Sequence, residues 1–192
     1  MTDVRNICVY CGSRPGSSPV FVERARELGR AMVEANIGLV YGAGSTGIMG
    51  AVADAVLEAG GEVTGVIPHG LHRAEITHAN LTALHMVDTM HERKAMMIEL
   101  SDAFVAAPGG FGTLEELFEV LTWGQLGIHS KPIGLFNVQG YWDPLLSMLD
   151  HCLEQRFIDP FQRELVLESD TPTGLFDALS AYEPHAHMIW QT

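Results

Sequence analysis

Two glycine-rich turns carry the residues best suited to chemistry in this chain. The first reads Gly42-Ala-Gly44-Ser-Thr-Gly47-Ile-Met-Gly50, and the second Pro108-Gly109-Gly110-Phe111-Gly112-Thr113-Leu114-Glu115-Glu116. Glycine tolerates positive φ and lets a ligand come close to the backbone. Free N–H groups at the start of a following helix then donate to an anion, aided by the helix dipole. Each turn follows a short apolar run and opens a helical pattern, the context a phosphate site needs. The first turn matches the Gly-x-Gly-x-x-Gly dinucleotide pattern, which a tight structural turn satisfies equally well. Three glycines in four residues make the second turn far more specific. Together they predict a small phosphorylated molecule held between two loops.

Glu116 has two readings. Thr113-x-x-Glu116 has the spacing of a capping box, in which the glutamate bonds back to the cap's own N–H. From the spacing alone, capping is the favoured role. A carboxylate beside a bound phosphate is repelled by it, however, and a sugar carbon developing positive charge is a better target. Cleavage of a ribosyl–base bond passes through such an oxocarbenium-like transition state. An ionised Glu116 would stabilise that charge and orient or deprotonate a water. Arg93 offers a planar fork for a carboxylate or ribose oxygens. Read without further context, it is a solvated helix arginine paired with Glu92 or Glu99. No side chain stands out as the acid for a departing base.

Other constellations are weaker. A dinucleotide site also needs an acidic residue at the end of the next strand, where Val66-Ile67-Pro68 stand instead, with Glu62 at the wrong end. Cys8-Val-Tyr-Cys11 has redox spacing, but a strand would point the two thiols to opposite faces, so buried structural thiols are expected. The histidines around His69, His72 and His78 lack any partner motif for zinc. Met86, Met90, Met96 and Met97 read as core or interface packing.

These residues need a scaffold, and the sequence supplies one. Apolar runs at 7–10, 38–41, 63–67, 103–106 and 132–136 alternate with helical patterns at 19–36, 46–59, 89–100, 113–126 and 141–155. The runs are apolar throughout, as in strands covered on both faces. The alternation predicts a Rossmann-like α/β fold, doubly wound, with a mostly parallel sheet and helices on both faces. Asn36 and Gly60-Gly61 mark helix ends. Residues 68–88 are undecided, with a short strand suggested at 84–87, and the tail after Tyr182, with His185 and His187, reads as irregular. A length of 192 residues without a linker or repeat predicts one domain, 1–192. Twenty-four acidic against eleven basic residues, a net charge of −13, argue against nucleic acid or an anionic membrane as partner. No apolar run approaches a membrane span, the N-terminus lacks signal-peptide order, and three cysteines fit a reducing, cytoplasmic setting.

The second glycine turn through Glu116, preceded by Met90-His-Glu-Arg93-Lys94-Ala95, resembles the LONELY GUY (LOG) family of cytokinin-activating phosphoribohydrolases. Many members carry an older lysine decarboxylase label. The resemblance runs from Cys11-Gly-Ser13 through the first glycine turn to Leu121–His129. It implies a Rossmann-like homodimer, without cofactor or metal, that hydrolyses the N-glycosidic bond of N6-substituted adenosine 5′-monophosphates or AMP. It further implies Arg93 and Glu116 as the catalytic pair. Lys94, Gly109, Gly110, Phe111, Gly112, Thr113, Leu114, Glu115, Glu75 and Thr122 would line the substrate site, with Ser13, Gly44 and Gly47 near the phosphate. The chain departs from the family at Ala43, where glycine is frequent, at Ile48, where leucine is common, and at His78, expected to alter the pocket around the base. Decarboxylation would require pyridoxal phosphate on a lysine, and only Lys94 and Lys131 exist. Two other readings stay open: a nucleotide-binding module without catalysis, and an NAD-dependent oxidoreductase.

Overall fold

The computed structural model describes residues 4–73 and 76–184, and its strands line up in one parallel sheet. They are β1 (Asn6–Tyr10), β2 (Gly38–Tyr41), β3 (Val63–Pro68), β4 (Ala83–Val87), β5 (Ala103–Ala106), β6 (Ile133–Phe136) and β7 (Val166–Ser169), in the order β4-β3-β2-β1-β5-β6-β7. Every pairing is parallel, with register such as Cys8 opposite Val40 on one side and Phe104 on the other. The helices are α1 (Pro19–Glu34), α2 (Gly47–Glu58), α3 (Met90–Glu99), α4 (Phe111–Leu126), α5 (Asp143–Glu154), α6 (Pro160–Glu164) and α7 (Pro172–Ala181).

Two apolar cores follow from the pleat. Ile7 and Val9 of β1 face a core built with α1, α2 and α7, whereas Cys8 and Tyr10 face a core built with α3, α4 and α5. Alternate side chains of a strand point to opposite faces, and helices on both faces leave the central strands buried apart from the first residues of β1 and β2. Cys8 and Cys11 do lie on opposite faces, both buried. Burial drives both thiols well above the ordinary cysteine range, so they are inert packing groups rather than a redox pair. The expected helix stops also appear: Asn36 and Gly60 take φ of 57° and 82° just past α1 and α2.

The chain lays down β2, β3 and β4 on one side of β1, then returns to place β5 on the other. Open α/β sheets leave a crevice at such a reversal, beyond the carboxyl ends of the strands. Here those ends run into Cys11–Ser13 after β1 and Pro108–Gly112 after β5. Among the described residues, no helix is long and apolar enough to cross a membrane. Glu75, His185 and His187 lie outside the described residues.

Candidate active site

A cavity of about 680 Å³ opens at this reversal point. Its walls come from the β1–α1 loop (Gly12, Ser13, Arg14), the start of α2 (Ile48, Met49), α3 (Arg93, Met97), the second glycine turn, and Phe21 and Tyr141. Backbone contacts weld the loops together: Gly12 N–H donates to Pro108 O, and Gly12 O accepts from Ile48 and Met49 N–H at 3.0 and 3.2 Å. Tyr141 Oη donates to Gly109 O and its ring meets Phe21 edge-on, closing one side.

Arg93 and Glu116 meet in the wall. Arg93 Nη1 is 3.3 Å from Glu116 Oε1, and both side chains are only 12% exposed. The guanidinium is held from two further directions. Its Nε donates to Val66 O at 3.2 Å, and its Nη2 occupies the place a Cβ on Gly42 would fill, only 1.8 Å away. Gly42 is thus glycine so that Arg93 can lie across it. The local pairing expected for Arg93 is not found: Glu92 instead closes a capping box with Thr89 at the start of α3. Burial is the main influence on Glu116 and pushes its pKa up to about 7, with Arg93 opposing. Near neutral pH the carboxyl therefore exists in both forms and can take up or release a proton.

The capping box expected at Thr113 and Glu116 is not formed. α4 begins two residues earlier, at Phe111, with Gly110 as a cap that offers no side-chain hydrogen bond. Thr113 is buried inside the first turn, packed on Gly109, and Glu116 points to Arg93. A glycine cap leaves the first-turn N–H groups of α4 open to the cavity. The start of α2 differs, because Ile48 and Met49 already donate to Gly12 O.

Of the residues expected at the site, Ser13, Gly109, Gly110, Phe111, Gly112, Thr113, Arg93 and Glu116 line the cavity. Gly44, Gly47, Lys94, Leu114, Glu115 and Thr122 do not. Gly44 bridges to Thr77, and Gly47 packs against the Ser13 backbone with φ +62°. Leu114 packs on the core, and Thr122 Oγ1 donates to Phe118 O of its own helix. Lys94 is buried between Glu115 and Glu119. His78 does not reach the cavity as expected; its Nε2 lies 3.0 Å from Asp54, its Nδ1 accepts from Asn80 N–H, and its own N–H ties the segment to Ala43 O. The cavity is also lined by Gly12, Arg14, Gly42, Met49, Met97 and Tyr141, none singled out as a site residue. The first four could be found from their places after β1 and β2, whereas Met97 in α3 and Tyr141 after β6 carry no local signal.

Neither lysine suits pyridoxal phosphate. Lys94 is held by two carboxylates, and Lys131 Nζ donates to Ile98 O at 2.7 Å. No lysine lines the cavity. Among the described residues no group of three His, Cys, Asp or Glu could hold a metal.

The family model described as "possible lysine decarboxylase" matches residues 49–179. A probable cytokinin riboside 5′-monophosphate phosphoribohydrolase of Oryza sativa subsp. japonica is 50% identical over 180 residues, covering 94% of this chain and 72% of that protein. A cytokinin riboside 5′-monophosphate phosphoribohydrolase of Arabidopsis thaliana is 48% identical over 180 residues, with 94% and 84% covered. Among solved structures, a molybdenum cofactor binding protein of Rippkaea orientalis superposes with TM-score 0.70 at 18% identity, over 94% of this chain and 98% of that one. The molybdenum cofactor carrier protein of Chlamydomonas reinhardtii gives 0.68 at 23%, over 92% and 96%. At those identities the two structures share the fold.

Proposed function

The chain belongs to the LOG family of cytokinin riboside 5′-monophosphate phosphoribohydrolases, and from that premise we propose that Arg93 and Glu116 hydrolyse the N-glycosidic bond of adenosine 5′-monophosphates, N6-substituted or plain. The observation that carries the reading is the buried Arg93–Glu116 pair beside the open start of α4.

The phosphate binds at the first-turn amides of α4, with Ser13 and Arg14 of the β1–α1 loop also lining the cavity. This anchors the ribose with its anomeric carbon toward Glu116. As the C1′–N9 bond breaks, the carboxylate stabilises the ribosyl cation and takes a proton from water, whose oxygen bonds to C1′. A group with a pKa of about 7 can hand that proton on to the departing base. The products are free base and ribose 5-phosphate. Water is the only co-reactant, so the step involves no change of oxidation state. In this reading Glu116 meets the charge at C1′ and activates the water without a metal. The dinucleotide alternative lacks its ribose-binding acid: β3 runs on to Pro68, and Glu62 stands before its first residue.

A homodimer in a cytoplasmic setting belongs to the same proposal. Phe111 and Phe118 lie two turns apart on α4, 93% and 42% exposed, and an apolar stripe of this kind suits an interface. Three thiols without a disulfide suit a reducing compartment.

Product analysis with AMP, N6-isopentenyl-AMP, GMP, CMP, NAD and adenosine tests the reading. Base and ribose 5-phosphate should appear from the adenine monophosphates in the presence of EDTA, and adenosine should be a far poorer substrate. Binding without base release would leave a passive nucleotide module, and equal turnover of adenosine would remove the phosphate site.

A further inference from the structure

Lys94 and Glu119 take no part in the chemistry described above, yet they are arranged beside it. Lys94 follows Arg93 on α3, and its buried ammonium is 2.5 Å from Glu115 Oε1 and 2.8 Å from Glu119 Oε1. Glu115 precedes Glu116 on α4, and Glu119 lies three residues after it, on the same side of the helix. Two ion-pair rungs therefore join α3 to α4: Arg93–Glu116 in the cavity wall, and Lys94 with Glu115 and Glu119 behind it. Lys94 is buried, whereas Glu119 is 19% and Glu115 55% exposed. A partly exposed ion pair adds little stability, so stability alone does not explain a charged second rung.

We propose that Lys94 and Glu119 are positioning residues for the hydrolysis, locking α3 against α4 and balancing charge around Glu116 without touching the substrate. The proposal rests on the function given above. Neither side chain lines the cavity. The groups facing Glu116 are Arg93 and Lys94 from α3, Glu115 and Glu119 from α4, and Cys8, Tyr10 and Cys11 from the β1 end. Burial keeps those last three neutral. Two cations and two carboxylates are left in balance, and Lys94 draws the Glu116 proton affinity down while Glu115 and Glu119 raise it. Removing either member of the second rung tips that balance, in opposite senses.

The experiment measures the pH dependence of kcat/KM for AMP in the wild type, Glu119→Gln, Lys94→Met, the double variant and Lys94→Arg. The same proteins, without substrate, are titrated by carboxyl-carbon NMR of Glu116, a readout that works whether or not any nucleotide is hydrolysed. Glu119→Gln keeps shape and hydrogen bonding, so its acid limb should move down by roughly half to one pH unit. Lys94→Met should move it up by a similar amount, the double variant should return toward wild type, and Lys94→Arg should rescue. KM at the plateau should stay within about threefold of wild type, as expected of groups outside the cavity. An unmoved limb and NMR titration in Glu119→Gln would overturn the proposal even if Lys94→Met fails to fold. So would shifts of the same sign, or a tenfold rise in KM with an unmoved limb in Lys94→Met, which would make Lys94 a substrate contact. Absence of base release from wild type, with the NMR shifts as expected, would instead count against the proposed reaction alone.

Discussion

The two glycine turns look alike in sequence and differ in what their glycines face. In the first, the chain itself fills the space beside the glycines. A Cβ on Gly42 would strike Arg93, one on Gly47 would lie 2.3 Å from the Ser13 carbonyl carbon, and one on Gly50 would lie 2.2 Å from Ser45 O. The first amides of α2 are likewise taken by Gly12 O. In the second, Gly109 packs on Thr113, but a Cβ on Gly110 or Gly112 would meet nothing within 4 Å. Neither has a positive φ. No contact among the described residues requires glycine at those two positions, and both line the cavity. The first turn chiefly seats Arg93, and Gly110 and Gly112 of the second stand open to the cavity, as the proposed function requires. Two matches to one motif thus do two jobs, and only the neighbours of each glycine tell them apart.

Substitutions can break that division. Gly47→Ala combines a left-handed backbone with a clash against backbone, so it should lose about 3 kcal/mol or more of stability, read as a Tm lowered by roughly 6–12 °C. A Tm within 2 °C or so of wild type would mean the first turn is not built as described. Gly42→Ala meets the end of a flexible side chain, so the fold should survive while the guanidinium is displaced. Misplacement of that kind lowers kcat about 10²-fold, and an unchanged kcat would detach Gly42 from the function of Arg93.

The second turn should respond the other way. Gly112→Ala has room and gains helix propensity, so stability should change by no more than about 1 kcal/mol, while KM for AMP rises about tenfold or more. A large fall in Tm with unchanged KM would make this turn scaffolding as well. The smallest effect is expected at Ala43, a buried residue with φ of 62°. Relief of backbone strain in Ala43→Gly should offset the lost methyl, leaving stability within about 1 kcal/mol of wild type by chemical denaturation.

Much of the scaffold was legible because parallel strands buried on both faces are apolar without interruption. The runs at 38–41 and 103–106 match β2 and β5 residue for residue. The edges were harder to read. β4 is half-exposed along most of its length, and β7, Val-Leu-Glu-Ser, carries too little apolar character to stand out. At the site, the glycines and the Arg93–Glu116 pair were visible as residue types, but their partners were not. Nothing local tells that Arg93 reaches Glu116 and Gly42 rather than Glu92. The capping-box spacing at Thr113 misled because α4 starts at a glycine without a side-chain cap, a choice that keeps its first amides free. His78 looked like a pocket residue by its neighbours in sequence, whereas its hydrogen bonds tie it to Asp54 and the first turn.

The most direct test of the central claim is Glu116→Gln, followed for turnover and stability at pH 8. Burial holds the Glu116 pKa near 7, above its ordinary 4.5, so the folded state binds the extra proton between those values. The wild type therefore loses stability as pH rises from about 4.5 to about 7, and no more above that. The glutamine variant escapes this loss, and at pH 8 it should be more stable than wild type by on the order of 2 kcal/mol, with no gain at pH 4. Its kcat for AMP should nonetheless fall roughly 10²–10⁴-fold. A folded Glu116→Gln protein with near-native kcat would contradict the assignment of Glu116 to the chemistry.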